Sequence, residues 1–241
     1  MSEAIDKYIA ARENILSPST VGGYRCIQRT RFQSVMHRKL GEIPEKEWQK
    51  IVNQEAALCS PKTPKNTFTF AFVRSVIQSE TGKPLPQVQQ GVPIPKRAAF
   101  LQPEEIPIFV AAATKTPYDL AALLALSSMR VSEIWALNRE NIPPHPDFIC
   151  CNGAVVKDEH GQMVGKAQNK NETSSRNVPI LIPELKEIIE RERKPSGPVI
   201  PYSQSAFRVN LRKICEHEKI TIVTPHGLRH PYVKPKTKNF L

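Results

Sequence analysis

Metal-site and disulfide patterns are absent from this sequence. The cysteines form no CxxC pair, and the adjacent pair has no histidine at the spacing of a zinc site. The five are Cys26, Cys59, Cys150, Cys151 and Cys215. This usage argues against a disulfide framework and the common zinc modules, and it favours reduced thiols in a cytoplasmic protein. We therefore predict no metal site.

Long apolar runs are absent as well. Residues 1–20 contain Glu3, Asp6, Arg12 and Glu13, so the apolar core of a signal peptide cannot be placed there. No uninterrupted apolar stretch approaches the roughly 20 residues that span a bilayer. The sequence predicts no membrane segment.

Acidic side chains are scarce relative to basic ones. Asp and Glu total 23 against 34 Lys and Arg, which gives a formal net charge of +11 over 241 residues. Residues 1–100 hold 15 basic and eight acidic side chains. Such a surplus favours a polyanionic partner, either nucleic acid or an anionic membrane surface. A basic but otherwise ordinary protein is the alternative.

Composition divides the chain into three segments. Residues 1–80 show helical apolar periodicity. Ser17 is a candidate helix cap, and Pro18 would occupy the first helical position. Residues 81–97 contain four prolines and two glycines, which predicts an extended linker. Residues 98–241 form the predicted second domain.

The second domain is predicted to combine helices with short strands. A long helical segment rich in Leu and Ala covers Tyr118–Asn138. The remaining predicted elements are strands at Phe148–Val156 and Met163–Ala167 around a hairpin turn, a strand at Arg176–Ile180, and helices at Pro183–Arg193 and Ser203–Glu218.

Two distant segments each place an arginine beside a second polar group. In SSMRVSE, residues 127–133, Glu133 lies three residues after Arg130, so on a helix its carboxylate can hold the guanidinium. In TPHGLR, residues 224–229, a capped helix start would present His226 and Arg229 in the first turn. Each motif alone fits a surface ion pair or an exposed histidine. Together they predict a pocket in which two guanidiniums and an imidazole grip a phosphate.

A lysine on a polar loop is the third candidate. Lys170 begins the segment KNETSSRNVPI, residues 170–180, which leads from a loop into a predicted strand. From there it could reach a ligand held by the two arginines. A solvated loop lysine is the alternative, and Lys157 and Lys166 are rival candidates.

These three blocks, in this order and spacing, resemble the tyrosine recombinase (phage integrase) family. Serines 127 and 128 stand where the family usually has Thr-Gly. The segment LSPSTVGGY, residues 16–24, is similar to part of the family's helical core-binding domain. The resemblance implies a mainly α (α+β) fold, with a helical N-terminal domain and a mixed helical catalytic domain that carries a small antiparallel sheet.

The resemblance also implies a role for each matched residue. Arg130, His226 and Arg229 would bind the scissile DNA phosphate, and Glu133 would support Arg130. Lys170 would be the general acid that protonates the leaving oxygen. No cofactor is implied. The partner would be double-stranded DNA, contacted also by Arg25, Arg29, Lys62 and Lys65, with self-association on DNA and a cytoplasmic location in a bacterium, phage or mobile element.

The match to the family ends after His230. The family's nucleophile is a tyrosine on a later helix, whereas only a basic, Pro-rich segment follows here. Tyr232, three residues after Arg229, is too early for that role, and Tyr8, Tyr24, Tyr118 and Tyr202 precede the motif. We therefore expect a C-terminally truncated member whose nucleophile is unknown.

Two functions remain open from the sequence. One is a site-specific recombinase, intact or supplied with a tyrosine by a partner subunit. The other is a non-catalytic DNA-binding remnant or regulator that occupies recombination sites. An unrelated helix-turn-helix regulator would not explain Arg130, Lys170 and Arg229 together.

Overall fold

A computed structural model describes residues 1–13, 15–58, 67–83, 87–89, 98–143, 147–166, 176–191 and 196–229. The chain divides into two units, one of Met1–Lys96 with Lys157–Val164 and one of Arg97–Val156 with Gly165–Leu241. Residues 84–86 and 90–97 of the predicted linker lie outside the described residues. The limits of the predicted domains, 1–80 and 98–241, stay a prediction.

The first unit is built from helices whose starts are visible in the sequence. Its described α-helices are α1 (Ser2–Ala10), α2 (Pro18–Thr30), α3 (Glu45–Leu58) and α4 (Thr67–Thr81), with short 3-10 turns at Gln33–Val35 and Leu40–Glu42. The Ser17 hydroxyl accepts a hydrogen bond from the Thr20 backbone N–H at 3.3 Å, and Pro18 occupies the first helical position. The predicted helix cap is confirmed.

The core of the first unit is formed by the apolar faces of these helices. Ile5, Trp48 and Phe72 are each at most 3% exposed. The ring of Tyr24 stacks on Phe72 with 3.8 Å between the ring centroids, and Tyr8 meets both rings edge-on. The two tyrosines therefore close the edge of this core.

The second unit surrounds one buried helix. Its described helices are α5 (Glu105–Ala113), α6 (Asp119–Leu126), α7 (Val131–Ile134), α8 (Pro183–Arg191), α9 (Gln204–His217) and α10 (Pro225–Leu228), with a 3-10 turn at Arg139–Asn141. All eight residues of α6 are buried. Leu and Ala occupy every face of α6, so the helix has no polar face that favours solvent exposure. The helices α5, α8 and α10 pack against it.

The described strands pair as two small sheets. They are β1 (Phe148–Cys151), β2 (Ala154–Lys157), β3 (Met163–Lys166) and β4 (Arg176–Pro179). β1 and β4 are antiparallel, with Phe148 opposite Pro179 and Cys151 opposite Arg176, and β2 pairs with β3. The single strand predicted at Phe148–Val156 is wrong, since Asn152 and Gly153 separate β1 from β2. The mainly α fold with a small sheet is confirmed.

The predicted long helix at Tyr118–Asn138 is also wrong. The chain leaves the helical path after α6, where Ser128 adopts a left-handed backbone conformation with φ of 70°. The Met129 N–H bonds to the Leu124 carbonyl and the Ser128 N–H to the Ala125 carbonyl. This pattern is a Schellman motif, which ends a helix and usually has glycine in the left-handed position.

The end of α9 repeats this device. Lys219 has φ of 55°, the Ile220 N–H bonds to the Cys215 carbonyl, and the Lys219 N–H bonds to the Glu216 carbonyl. In both places a non-glycine residue holds a conformation that costs L-residues roughly 1–2 kcal/mol.

Among the described residues, no helix is long and apolar enough to cross a membrane.

Glycine at either left-handed position should stabilise the protein. We expect Ser128→Gly and Lys219→Gly each to raise the free energy of unfolding by about 0.5–1 kcal/mol, because relief of strain exceeds the entropy that glycine adds to the unfolded chain. Urea denaturation measures this. Thr114→Gly, at a helix end with φ of −61°, is the control and should be destabilising. Equal effects at all three positions would contradict the strain argument.

Candidate phosphate-binding site

A buried carboxylate organises the arginine motif of the second unit. Glu133 is 2% exposed, yet each of its oxygens accepts two hydrogen bonds. Oε1 accepts from Nη1 of Arg130 at 2.7 Å and Nη1 of Arg176 at 3.0 Å. Oε2 accepts from the Arg130 backbone N–H at 2.7 Å and Nη2 of Arg176 at 2.9 Å. The capacity of the carboxylate for about four bonds is therefore filled.

These bonds keep Glu133 ionised. Burial raises the pKa of this carboxyl, but the hydrogen bonds from Arg176 and Arg130 outweigh burial and hold the pKa at about 2. Glu133 is the third residue of α7, where a carboxylate that accepts from the preceding cap N–H also stabilises the helix start. The predicted pairing of Glu133 with Arg130 is present in the structure.

Arg130 sits at the N-cap of α7 rather than within a helix. Its side chain is 49% exposed. Among the described residues its guanidinium donates only to Glu133, through Nη1. Its remaining donors are therefore available to a ligand.

Arg229 is positioned by the short helix α10. The Thr224 hydroxyl caps this helix by accepting from the Gly227 N–H at 3.2 Å, and Pro225 begins it, as the sequence predicted. A Cβ atom at position 227 would collide with the carbonyl oxygen of Ala99, so only glycine permits this approach. α10 packs against α6, whose C-terminal end leads into Arg130.

Arg229 is partly buried, and its contacts differ from those of Arg130. Within the part of the chain that the structure describes, its guanidinium donates no hydrogen bond and forms no ion pair within 4 Å. Its pKa is lowered first by burial and then by the charge of Arg130; the charge of Glu133 acts in the opposite direction, and the charge of Arg176 adds a lesser lowering effect. Three guanidiniums and one carboxylate thus leave an excess of positive charge at this site.

The other predicted site residues have varied outcomes. His226 is exposed on the first turn of α10, and Arg29 is exposed on α2. Arg25 pairs with Asp6, and its Nε donates to Glu159 at 3.2 Å. Lys170, Lys62, Lys65 and Tyr232 lie outside the described residues, and the roles predicted for all of them stay predictions.

Sequence reasoning missed Arg176. It begins β4 and binds both oxygens of Glu133, although its strand was predicted without a role for it. A signal did exist, since a glutamate in an apolar segment needs more than one exposed arginine to compensate its burial.

The described residues contain no group of three or more His, Cys, Asp or Glu side chains that could hold a metal ion.

Removal of the Glu133 charge should give a stability difference that depends on pH. The folded pKa of about 2 lies below the ordinary value of 4.5, so the stabilisation is complete above pH 4.5 and is lost as pH falls through about 2. We expect Glu133→Gln to lower the free energy of unfolding by about 3 kcal/mol at pH 7.

Chemical denaturation at several pH values between 3 and 7 checks this. The difference from the unmodified protein should shrink below pH 4.5. Glu216→Gln, which removes an exposed carboxylate paired with Arg212, is the control and should change stability little. A Glu133→Gln deficit that is constant with pH would contradict the assignment.

Comparison with known proteins identifies the fold. No protein-family model matches the sequence, and no curated protein matches it. The integrase of the Tn1549 transposon, in complex with transposon right end DNA, has a TM-score of 0.71 and 15% identity, covering 96% of this chain and 84% of that one. A lambda integrase tetramer bound to a Holliday junction has a TM-score of 0.60 and 16% identity, covering 94% and 70%.

A lambda integrase dimer bound to a COC′ core site is similar in the same way, with a TM-score of 0.58 at 15% identity over 94% of this chain and 67% of that one. These likenesses extend over nearly the whole chain and include both units. The fold that the resemblance to the tyrosine recombinases implied is therefore confirmed: the chain has the fold of the transposon and lambda integrases.

Proposed function

We propose that this chain is a DNA-binding protein of the tyrosine recombinase type, which grips one backbone phosphate between Arg130 and Arg229. The observation that carries the proposal is Arg229, a partly buried guanidinium without an ion-pair partner in the described structure, whose pKa is lowered by burial and by the charges of Arg130 and Arg176. Such an arrangement is unfavourable in the free protein, and a bound anion would relieve it.

The chemistry of the site fits a phosphodiester. Arginine presents planar pairs of N–H donors that match phosphate oxygens two at a time. Arg130 is held from behind by Glu133, so its outward donors are fixed before a ligand arrives. The net charge of +11 favours the same partner. Solved structures that share this fold include integrases in complex with DNA.

We further propose that these 241 residues hold DNA without breaking it. Tyr8 and Tyr24 pack against the core of the first unit. Tyr118 packs edge-on against Tyr202 at 4.5 Å between centroids, and Tyr202 meets Trp135. These contacts support structural roles for the four described tyrosines.

The alternative is a recombinase that breaks and rejoins DNA. Lys170 would be its general acid, and its nucleophile would be Tyr232 or a tyrosine of a partner subunit. Both functions require the same grip on the phosphate, and covalent attachment separates them. Self-association on DNA stays a prediction under either function.

Replacement of Arg229 should weaken DNA binding without harming the fold. We expect Arg229→Met to lower affinity for a fluorescent 30-base-pair duplex about tenfold, as for one lost charge-assisted hydrogen bond. The slope of log affinity against log salt should fall by about one. The free energy of unfolding should stay equal or rise, because methionine keeps the apolar stem and removes charge repulsion.

Fluorescence anisotropy between 50 and 200 mM NaCl and urea denaturation supply the two readouts. Arg212→Met is the matched control, since Arg212 is exposed and already paired with Glu216 at 2.7 Å. Loss of stability together with unchanged DNA affinity in Arg229→Met would remove the basis of the proposal.

Covalent chemistry needs its own test. We expect no SDS-resistant adduct between the chain and nicked duplexes that have been enriched for binding from a random-sequence pool. An adduct lost in Tyr232→Phe would show that the chain is an enzyme with Tyr232 as nucleophile. An adduct that persists in Tyr232→Phe would equally overturn non-covalent binding and would place the attachment at another residue.

A further inference from the structure

The donors of Arg176 are directed at the protein itself. Its Nη1 and Nη2 meet the two oxygens of Glu133 as a fork, at 3.0 and 2.9 Å. Nη2 also points at the carbonyl oxygen of Ser128, 3.4 Å away, and Nη1 at the sulfur of Cys151, 3.8 Å away. The four terminal N–H bonds of this guanidinium therefore have protein acceptors, in contrast to those of Arg130.

Through these contacts Arg176 connects three parts of the second unit. Glu133 lies on α7, and Ser128 is the left-handed residue that ends α6. Cys151 lies directly opposite Arg176 in the pairing of β1 with β4. The small sheet is thus joined to the turn that precedes Arg130.

Arg176 also supplies half of the bonds that Glu133 accepts. Without it, a carboxylate that is 2% exposed would retain only its contacts with Arg130. A buried carboxylate with unfilled acceptor sites becomes protonated or draws its remaining partner inward. Either response would turn Arg130 away from a ligand.

We propose that Arg176 is a positioning residue for the phosphate site: its fork fixes Glu133, and Glu133 in turn holds Arg130 facing outward beside Arg229. Arg176 does not contact the phosphate. The inference rests on the proposed DNA-binding function, and it requires arginine rather than any cation. Lysine carries the same charge on a single nitrogen and cannot meet both oxygens of Glu133 and the Ser128 carbonyl together.

The first readout is the titration of Glu133, followed by NMR of ¹³C-labelled glutamate carboxyls and assigned by its loss in Glu133→Gln. In the described structure the ionisable groups that face this carboxyl are Arg130, Arg176, Arg229 and Cys151. We expect Glu133 to remain ionised from pH 3.5 to 8 in the unmodified protein. It should titrate within this range in Arg176→Met, and in Arg176→Lys its pKa should lie between the two.

The second readout is affinity for the 30-base-pair duplex and its salt dependence. Arg176→Lys and Arg176→Met should each weaken binding about tenfold, the effect of one misplaced charge-assisted contact. The salt slope of Arg176→Lys should fall by about one, as in Arg229→Met, because Arg130 would lose its phosphate contact. Arg139→Lys is the matched control, since Arg139 donates to the Ile142 carbonyl and not to Glu133.

Failure of the inference can be told apart from failure of the proposed function. If the unmodified protein does not bind the duplex, the proposed function fails, and the titration still tests the coupling of Arg176 to Glu133. Unchanged titration of Glu133 in Arg176→Met would overturn the positioning role. So would unchanged affinity in Arg176→Lys.

Discussion

The arginine cluster of the second unit depends on one buried carboxylate. Desolvation of Glu133 is unfavourable, and it is tolerated because two arginines and one backbone N–H fill its acceptor sites. Since the donors come from the start of α7 and the start of β4, the carboxylate also fixes where these elements lie. The hydrogen-bonded carboxylate of Glu133 therefore holds the starts of α7 and β4 together and orients the side chain of Arg130.

Under the proposed function, stability and DNA binding make opposite demands on Arg229. If stability alone had shaped the site, we would expect the partly buried guanidinium of Arg229 to pair with a carboxylate, as Arg130 and Arg176 pair with Glu133. The lowered pKa of Arg229 instead reflects burial and the repulsion of its neighbours. Under the proposed function, a partly buried positive charge without an ion-pair partner among the described residues weakens the free protein but strengthens its attraction for an anion, a conflict common at binding sites.

Features set by near neighbours in the sequence could be predicted, and those set by distant pairing could not. Ser17 and Thr224 act as caps, as predicted, because each cap bonds a residue three positions later. The predicted helix through Ser128 was wrong because serine gives no sign of a left-handed residue. Arg176 was overlooked because its role depends on the register that places it opposite Cys151, 25 residues earlier.

The two left-handed turns lie in the segments that lead to the site arginines. Ser128 and Lys219 end α6 and α9 in conformations that glycine would adopt more easily, and Arg130 and Arg229 follow these turns within a short distance. Such strain persists only where surrounding contacts overdetermine it. At Ser128 one of those contacts is visible, since its carbonyl oxygen faces Arg176. The guanidinium of Arg176 therefore contacts both Glu133 and the turn that precedes Arg130, so its replacement should affect the two together.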